Sequence, residues 1–338
     1  MLGGMLERHR SHILGPTQNM LYPITVPKQD SADDLAGYID EEGNVVVEPQ
    51  YAAAGYFFEG LGSVCREDGL SGFIDARGEI VIPFAFRGLG QFHNGLCPVG
   101  QGVRLGYIRR TGEWQIAPRF AVGGRFSEGV AKVSPDGSAF GHIDSRGAWV
   151  IKPRYDQVGN FSSGLAAVCT EERWGYVRRK GDLTIGFQFE GPRAQPFTEG
   201  LAGVCIAGRW GFINTAGDWA IMPQFEDVRR FREGCAPVQA NGKWGLINTA
   251  GAELVPPKFD KLDEFYGGMA AACLEGKAGY VTPDGAWVIE PKYDHCYRFV
   301  HSLAVIKAGT KYAYISRNGT TVWISEPYAY PQVPPFRE

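Results

Sequence analysis

Apolar and polar positions alternate along this chain in short blocks, and the blocks return at a fixed distance. Phe57, Phe92, Phe126, Phe161, Phe197, Phe231, Phe265 and Phe299 form a ladder; each stands 14 residues after a glycine, except Phe197, where the gap is 16. Those glycines, Gly43, Gly78, Gly112, Gly147, Gly181, Gly217, Gly251 and Gly285, continue to Gly319 at intervals of 34 to 36 residues. A period of this size, held over nearly the whole chain, marks a tandem array whose units bury their apolar faces only against one another.

The copy from Phe197 to Phe231 shows what one unit is. Gly200 to Cys205 is small and β-compatible and is broken by Ala207-Gly208, which predicts a first strand. Trp210 to Asn214 and Trp219 to Pro223 flank Thr215-Ala216-Gly217, which predicts a hairpin. The first turn position holds Asp40, Asp75, Asp144, Asn214, Asn248, Thr282 or Ser316, with a glycine three residues on. Such side chains bond the backbone of a type I turn, and Gly217 or Gly251 can take the positive φ that closes it. Pro49, Pro83, Pro118, Pro153, Pro223, Pro257 and Pro291 are expected to end the third strand.

Each unit is therefore a three-stranded meander without room for a helix, and the fold expected is all-β, a tandem array of about nine such repeats of ~34 residues. The array occupies residues 21–326, between tails at 1–20 and 327–338. Tyr22 to Val26 supplies the first strand of a partial unit whose hairpin runs from Gly37 to Pro49. The two ends do not look like complementary fragments of one unit, which favours an open superhelix; a closed propeller-like ring is the alternative. In the first tail, Leu2, Met5, Leu6, His9 and Ile13 have helical spacing.

Composition narrows the function. A hydrophobic content of 44% supports a core, and 46 Gly with 21 Pro recur at fixed phases, as turns do. A net charge of −3 argues against a phosphate-binding surface, so nucleic acid is not an expected partner. No apolar run has the length of a membrane span, no signal-peptide core is seen, and seven scattered Cys suit a reducing compartment, so the expected location is cytoplasmic.

Candidate chemistry is sparse. Trp174, Trp210 and Trp244 are expected to pack between units, as a large indole does in a core. Cys65, Cys169, Cys205 and Cys273 share one phase and fit small buried strand residues better than a metal site. The acids Glu59, Glu128, Glu199 and Glu233, and the trailing acids Asp156, Glu226, Asp260 and Asp294, recur too regularly for one asymmetric active site. They read as loop and turn anchors. No zinc-protease helix, nucleophile elbow or phosphate loop is present, so neither catalytic residues nor a metal or cofactor is expected. Two irregular stretches are the candidate binding segments. One is Gly186 to Pro196, with two inserted residues and no strand-ending Pro, offering Phe187, Phe189, Arg193 and Gln195. The other is Asp294 to Arg298, offering His295, Tyr297 and Arg298.

Trp174-Gly175-Tyr176-Val177, Trp210-Gly211-Phe212-Ile213-Asn214 and Lys243-Trp244-Gly245-Leu246-Ile247-Asn248 resemble the bacterial WG-repeat family, also called KWG repeats. The surrounding Phe-x-Glu-Gly-Leu-Ala opening and the Ile-x-Pro-x-Phe-Asp close resemble it too, over residues 36 to 326. The tryptophan is replaced by Ala36, Ser71, Leu105, Phe140, Ala278 and Tyr312, and the glycine only by Ala313. The resemblance implies an all-β bacterial repeat protein, in a family of interaction modules. The function expected is a non-catalytic protein–protein interaction scaffold, of immunity or antitoxin-like type or as an accessory subunit. Binding of glycan or cell-wall polymer through aromatic faces is one alternative, and an enzyme built on groups such as His295 or Glu190 is another.

Overall fold

The computed structural model describes residues 20–28, 34–327 and 329. Every regular element in it is a β-strand. Unit five is representative, with strands Gln157–Val158, Leu165–Thr170, Arg173–Arg178 and Leu183–Phe189 in one antiparallel sheet. The three predicted strands are there, and a two-residue strand precedes them in the segment expected as loop. Among the described residues nine such units follow one another. Units two and three are joined into a seven-stranded sheet by the pairing of Arg87 with Gly100, and units one, three and six lack the short first strand, so that their three strands correspond to the second, third and fourth of the others. The helical spacing expected before Gly15-Pro16 lies outside the described residues, as does most of the tail after residue 327.

The turns between third and fourth strands follow the sequence chemistry. In unit six the Gly217 amide donates to the Asn214 carbonyl at 3.0 Å, and Asn214 Oδ1 accepts from Ala216 and Asp218, both at 3.0 Å. Gly217 and Gly251 have φ of 95° and 80°, a region that glycine enters without a Cβ penalty. The prolines do not end strands as expected. Pro223 and Pro257 sit within the fourth strands Trp219–Phe225 and Glu253–Phe259. There the register slips between Trp210↔Phe225 and Phe212↔Ile221, leaving the segment around Pro223 bulged out of the ladder. Inside that bulge the missing N–H removes no ladder bond.

The same bulge explains the second letter of the Trp-Gly pair. A Cβ on Gly37, Gly72, Gly106, Gly141, Gly175, Gly211, Gly245 or Gly279 would lie 2.2 to 2.6 Å from a carbonyl oxygen of the bulged strand. Unit nine pairs Ala313 directly with Ile324, with no bulge opposite it, and there a methyl is accommodated.

The core is a series of inter-unit layers. Trp174, Tyr176 and Phe189 of unit five pack with Phe197, Val204 and Ile213 of unit six, and the pattern repeats. Each ladder aromatic meets the residue at the centre of the preceding unit's third strand, which is aromatic except for Leu246 opposite Phe265. Examples are Tyr38–Phe57 at 5.3 Å, Tyr107–Phe126 at 5.0 Å and Phe212–Phe231 at 4.7 Å. Where that aromatic carries a polar atom, it also bonds a carbonyl of the next unit: Tyr38 to Gly55, Tyr107 to Gly124, Tyr176 to Gln195 and Tyr280 to Tyr297.

Unit nine makes these same contacts with unit one. Tyr314 Oη donates to the Pro23 carbonyl at 2.8 Å, and its ring meets Tyr22 at 5.7 Å. Tyr22, Ile24 and Ile39 share an apolar cluster with Leu303, Val305 and Tyr314. Among the described residues, nine units are thus linked by nine clusters, whereas an open row of nine would have eight junctions. The array closes. The open superhelix preferred from the sequence gives way to the ring held as the alternative, because unit one presents its own aromatic strand to unit nine instead of sharing a sheet with it.

Closure defines an inside and an outside. Stacked sheets crowd at the inner end and splay at the outer end. The short first strand packs on the third strand of the preceding unit, the middle strands are buried almost throughout, and the fourth strand alternates exposed and buried positions. The first strand therefore lies at the inner rim and the fourth at the outer rim.

Candidate functional site

The recurring acids sit in turns and join units. The amides of Gly95, Gly164 and Gly234 donate to Glu59, Glu128 and Glu199, and Glu233 accepts from both Gly267 and Gly268. At the other face, Asp156, Glu226, Asp260 and Asp294 accept amides of the loop between second and third strands. These carboxylates stand in for acceptors that the tight turns fail to offer their own amides. The three tryptophans are 5 to 6% exposed and lie between units. Arg193 covers Trp210 and Arg229 covers Trp244, each guanidinium 5.1 Å from the ring centroid. Cys169, Cys205 and Cys273 lie in strands, and burial pushes their thiols up.

The residue two places before the ladder Phe separates the ring into halves. In units two to five it is Gly55, Gly90, Gly124 and Gly159; in units six to nine it is Gln195, Arg229, Asp263 and Tyr297. Of the candidate residues from the sequence, Arg193, Gln195, His295, Tyr297 and Arg298 fall on this polar half, while Phe187 and Phe189 lie in the fourth strand of unit five. Arg193 pairs with Asp227 at 3.1 Å, and Gln195 Nε2 donates to the Val228 carbonyl at 2.8 Å, while Gln195 Oε1 is buried without a partner. Phe187 and Phe189 are not part of the inner rim; Phe189 is core against Trp219, and Phe187 packs near Tyr155 in the fourth strand. In unit nine Tyr297 is buried in the closing cluster, and His295 packs on it with ring centroids 4.4 Å apart. Burial, then the charges of Lys261 and Lys307, holds the His295 pKa below its usual value.

Between these stretches lies a network that the sequence pattern does not single out. Glu264 accepts from Arg230 at 2.8 and 3.0 Å, from Arg232 at 3.0 Å and from Tyr266 at 3.3 Å. Arg232 and Arg298 both lie over the Tyr266 ring, at 4.7 and 5.1 Å from its centroid. Burial alone would raise the Glu264 carboxyl, but the bond to Arg230 and the charges of Arg230 and Arg232 bring it below the usual range. Asp263, alongside, is pushed up chiefly by burial. The signal that could have found this network is the loss of the rim glycine from Gln195 onward.

A ring of radially stacked antiparallel sheets with buried aromatic layers is a propeller-like repeat protein. The WG containing repeat pattern matches residues 37–69, 72–102, 106–137, 140–174, 174–210, 210–244, 244–277 and 279–312. The chain belongs to that family. Among solved structures, a eukaryotic initiation factor is similar in fold at 9% identity, over 95% of this chain and 100% of that one, with a TM-score of 0.65. BamB from Moraxella catarrhalis matches at 11% identity over 77% and 91% of the chains, with a TM-score of 0.46. The dihydro-heme d1 dehydrogenase NirN in complex with DHE matches at 10% identity over 97% and 77%, with a TM-score of 0.48. Among curated protein sequences nothing matches.

Proposed function

We propose that this ring is a non-catalytic scaffold that binds a protein partner. The observation that supports the reading is on the outer rim. Val45, Val46, Ile80, Val81, Trp149, Leu183, Leu254 and Val288 are exposed at the start of the fourth strand in unit after unit. Apolar groups left in water at one repeated position form an extended surface of the kind that partners cover. The glycan reading loses the faces it relied on, because Trp174, Trp210 and Trp244 are enclosed between units. The immunity-like and accessory-subunit versions both fit a rim of this kind.

Affinity capture from the native lysate, run with the intact chain and with Ile80→Glu/Val81→Glu, tests the proposal. The expected outcome is one stoichiometric protein retained by the former and reduced with the latter. Recovery of no stoichiometric protein, or equal recovery by both, counts against it.

A further inference from the structure

The turn between third and fourth strands breaks its own rule in two units. In units one, two, four, six and seven its first side chain, an Asp or Asn, accepts two amides of the turn. Asp75 Oδ1, for example, takes those of Arg77 and Glu79 at 2.8 and 3.0 Å. Units three and five have Arg109 and Arg178 at this position, and a guanidinium has no acceptor. The backbone still closes both turns, with the Gly112 and Gly181 amides donating to the Arg109 and Arg178 carbonyls at 2.9 and 2.8 Å. The side-chain bonds that steady such a turn are given up, and a cation stands in their place.

The positions that follow continue the change. Unit three reads Arg109-Arg110-Thr111 and unit five Arg178-Arg179-Lys180, with no acid in either, whereas unit one reads Asp40-Glu41-Glu42. The two basic turns belong to one band that crosses unit four. Arg109 Nε donates to Gln115 Oε1 at 2.6 Å, and Gln115 Nε2 donates to the Ser145 carbonyl of the unit-four turn at 2.9 Å. Arg119 donates to the Gly147 carbonyl of that same turn, and Arg154 Nη2 to the Gly181 carbonyl of the unit-five turn at 2.8 Å. Arg110, Arg178 and Lys180 are exposed, and among the described residues no carboxylate forms an ion pair with them.

Apolar groups lie within the band. Trp149 and Leu183, 37 and 46% exposed, open the fourth strands directly after the turns of units four and five, and Trp149 meets Phe120 of unit three at 6.0 Å. Arginine forks match carboxylates in shape and charge, and exposed apolar side chains gain by being covered. A nucleic acid suits the band less well. Exposed Glu113 and Asp182 interrupt the cations where a phosphate track would run, and Leu183 calls for an apolar side chain opposite it.

We propose that the outer rim of units three to five docks an acidic protein segment, whose carboxylates meet the cations of the two turns and whose apolar side chains cover Trp149 and Leu183. The proposal rests on the outer rim being a partner surface, and it names the sector and the partner's chemistry. Fluorescence anisotropy tests it, with the intact chain titrated into a labelled synthetic peptide of alternating Glu and Leu pairs, the same peptide with Gln for Glu, and a labelled DNA oligonucleotide. Saturable binding of the acidic peptide is expected, weakening as salt rises and about tenfold or more tighter than either control. Arg109→Asn/Arg178→Asn restores the side chain that Asn214 and Asn248 supply in units six and seven. Its melting temperature should therefore hold or rise, while the acidic peptide binds about tenfold more weakly, which is ~1.4 kcal/mol. Arg209→Asn, at an exposed arginine of unit six outside the band, should leave binding unchanged. The proposal is overturned if the acidic peptide does not saturate, if DNA binds as tightly, if the double variant binds like the parent, or if its melting temperature falls along with its binding. Capture separates this from the reading beneath it. A partner lost with Ile80→Glu/Val81→Glu but kept with Arg109→Asn/Arg178→Asn leaves the rim as the partner surface and removes the acidic segment, and a partner lost with neither removes both.

Discussion

The two halves of the ring solve one packing problem with different materials. In units two to five the inner rim has Gly55, Gly90, Gly124 and Gly159, and the neighbouring side chain or backbone fills the space. Ser63 Oγ and Cys97 Sγ stand 2.5 and 2.3 Å from where a Cβ on Gly55 and Gly90 would be. In units six to nine the same place holds Gln195, Arg229, Asp263 and Tyr297, and the units are joined there by ion pairs and by the cation–π contacts of Arg232 and Arg298 with Tyr266. The aromatic ladder and the turn carboxylates are common to both halves. What differs is that one rim is bridged by polar side chains and the other is lined by glycines, of which Gly55, Gly90 and Gly124 have a neighbouring atom within 2.8 Å of where a Cβ would be. Repetition thus fixes the frame and leaves the rim free to vary.

Measurements on matched positions of the two halves test this contrast. Trp210→Ala, on the polar side, should cost about 3–5 kcal/mol in denaturant melts, as large-to-small core changes do. Leu105→Ala, at the same phase on the glycine side, should cost less, because Leu105 is only partly buried; equal losses would mean that the halves do not differ in packing. Next is acid. His142 is buried in unit four and bonds the Gly159 carbonyl, and burial lowers its pKa to about 4. Below the unfolded pKa of roughly 6.5 the unfolded chain takes up a proton that the folded one resists, so stability falls with pH and levels off near 4. The loss should approach ~3 kcal/mol, since each tenfold drop in proton affinity is worth about 1.4 kcal/mol. His142→Tyr, the residue found at this place in Tyr107 and Tyr176, should remove that slope, and an unchanged slope would refute the assignment.

On the polar side, Glu264→Gln should cost about 1.5–3 kcal/mol, because it leaves Arg230 and Arg232 partly buried without their carboxylate. Arg230→Met in the same background should recover part of it, and additive losses would show that the pair does not act as a unit. The smallest effect is at Gly159, where a Cβ would meet Ala167 at an ordinary 3.5 Å. Gly159→Ala should shift stability by less than about 0.5 kcal/mol, as mild substitutions do, against about 1–3 kcal/mol for Gly90→Ala, where the space is taken. Equal values would show that the rim glycines are not selected by space.

Much of this frame is legible in the chain. The Phe ladder, the turn glycines and the acids at the first turn position each follow from one local rule, and each recurs often enough to be recognised. The ring is harder to read. Tyr22 stands 35 residues before Phe57, at the spacing of the ladder, but the connection after it is longer than in any other unit, and closure rests on contacts between residues nearly 300 apart such as Pro23 and Tyr314. The two-residue first strands carry no periodicity, so segments such as Gln157–Val158 read as loop. Pro223 reads as a strand end because proline in a ladder removes a donor, and a bulge that needs no donor there is not visible in one sequence. The rim network is hidden for another reason. Arg230, Glu264 and Arg298 occupy one phase of three successive units, and only the pairing across units makes them neighbours.

The bond from Tyr314 to Pro23 also bears on how the chain can be cut and how it folds. Each inner junction forms between units adjacent in sequence and can zip up from any starting point, but the last junction must bring together segments from opposite ends of the chain. That single event carries nearly all of the chain-closure entropy, which grows only slowly with length. A permuted chain, with its old ends linked and new ends opened between Phe189 and Leu201, should therefore reach the same ring by a different last step.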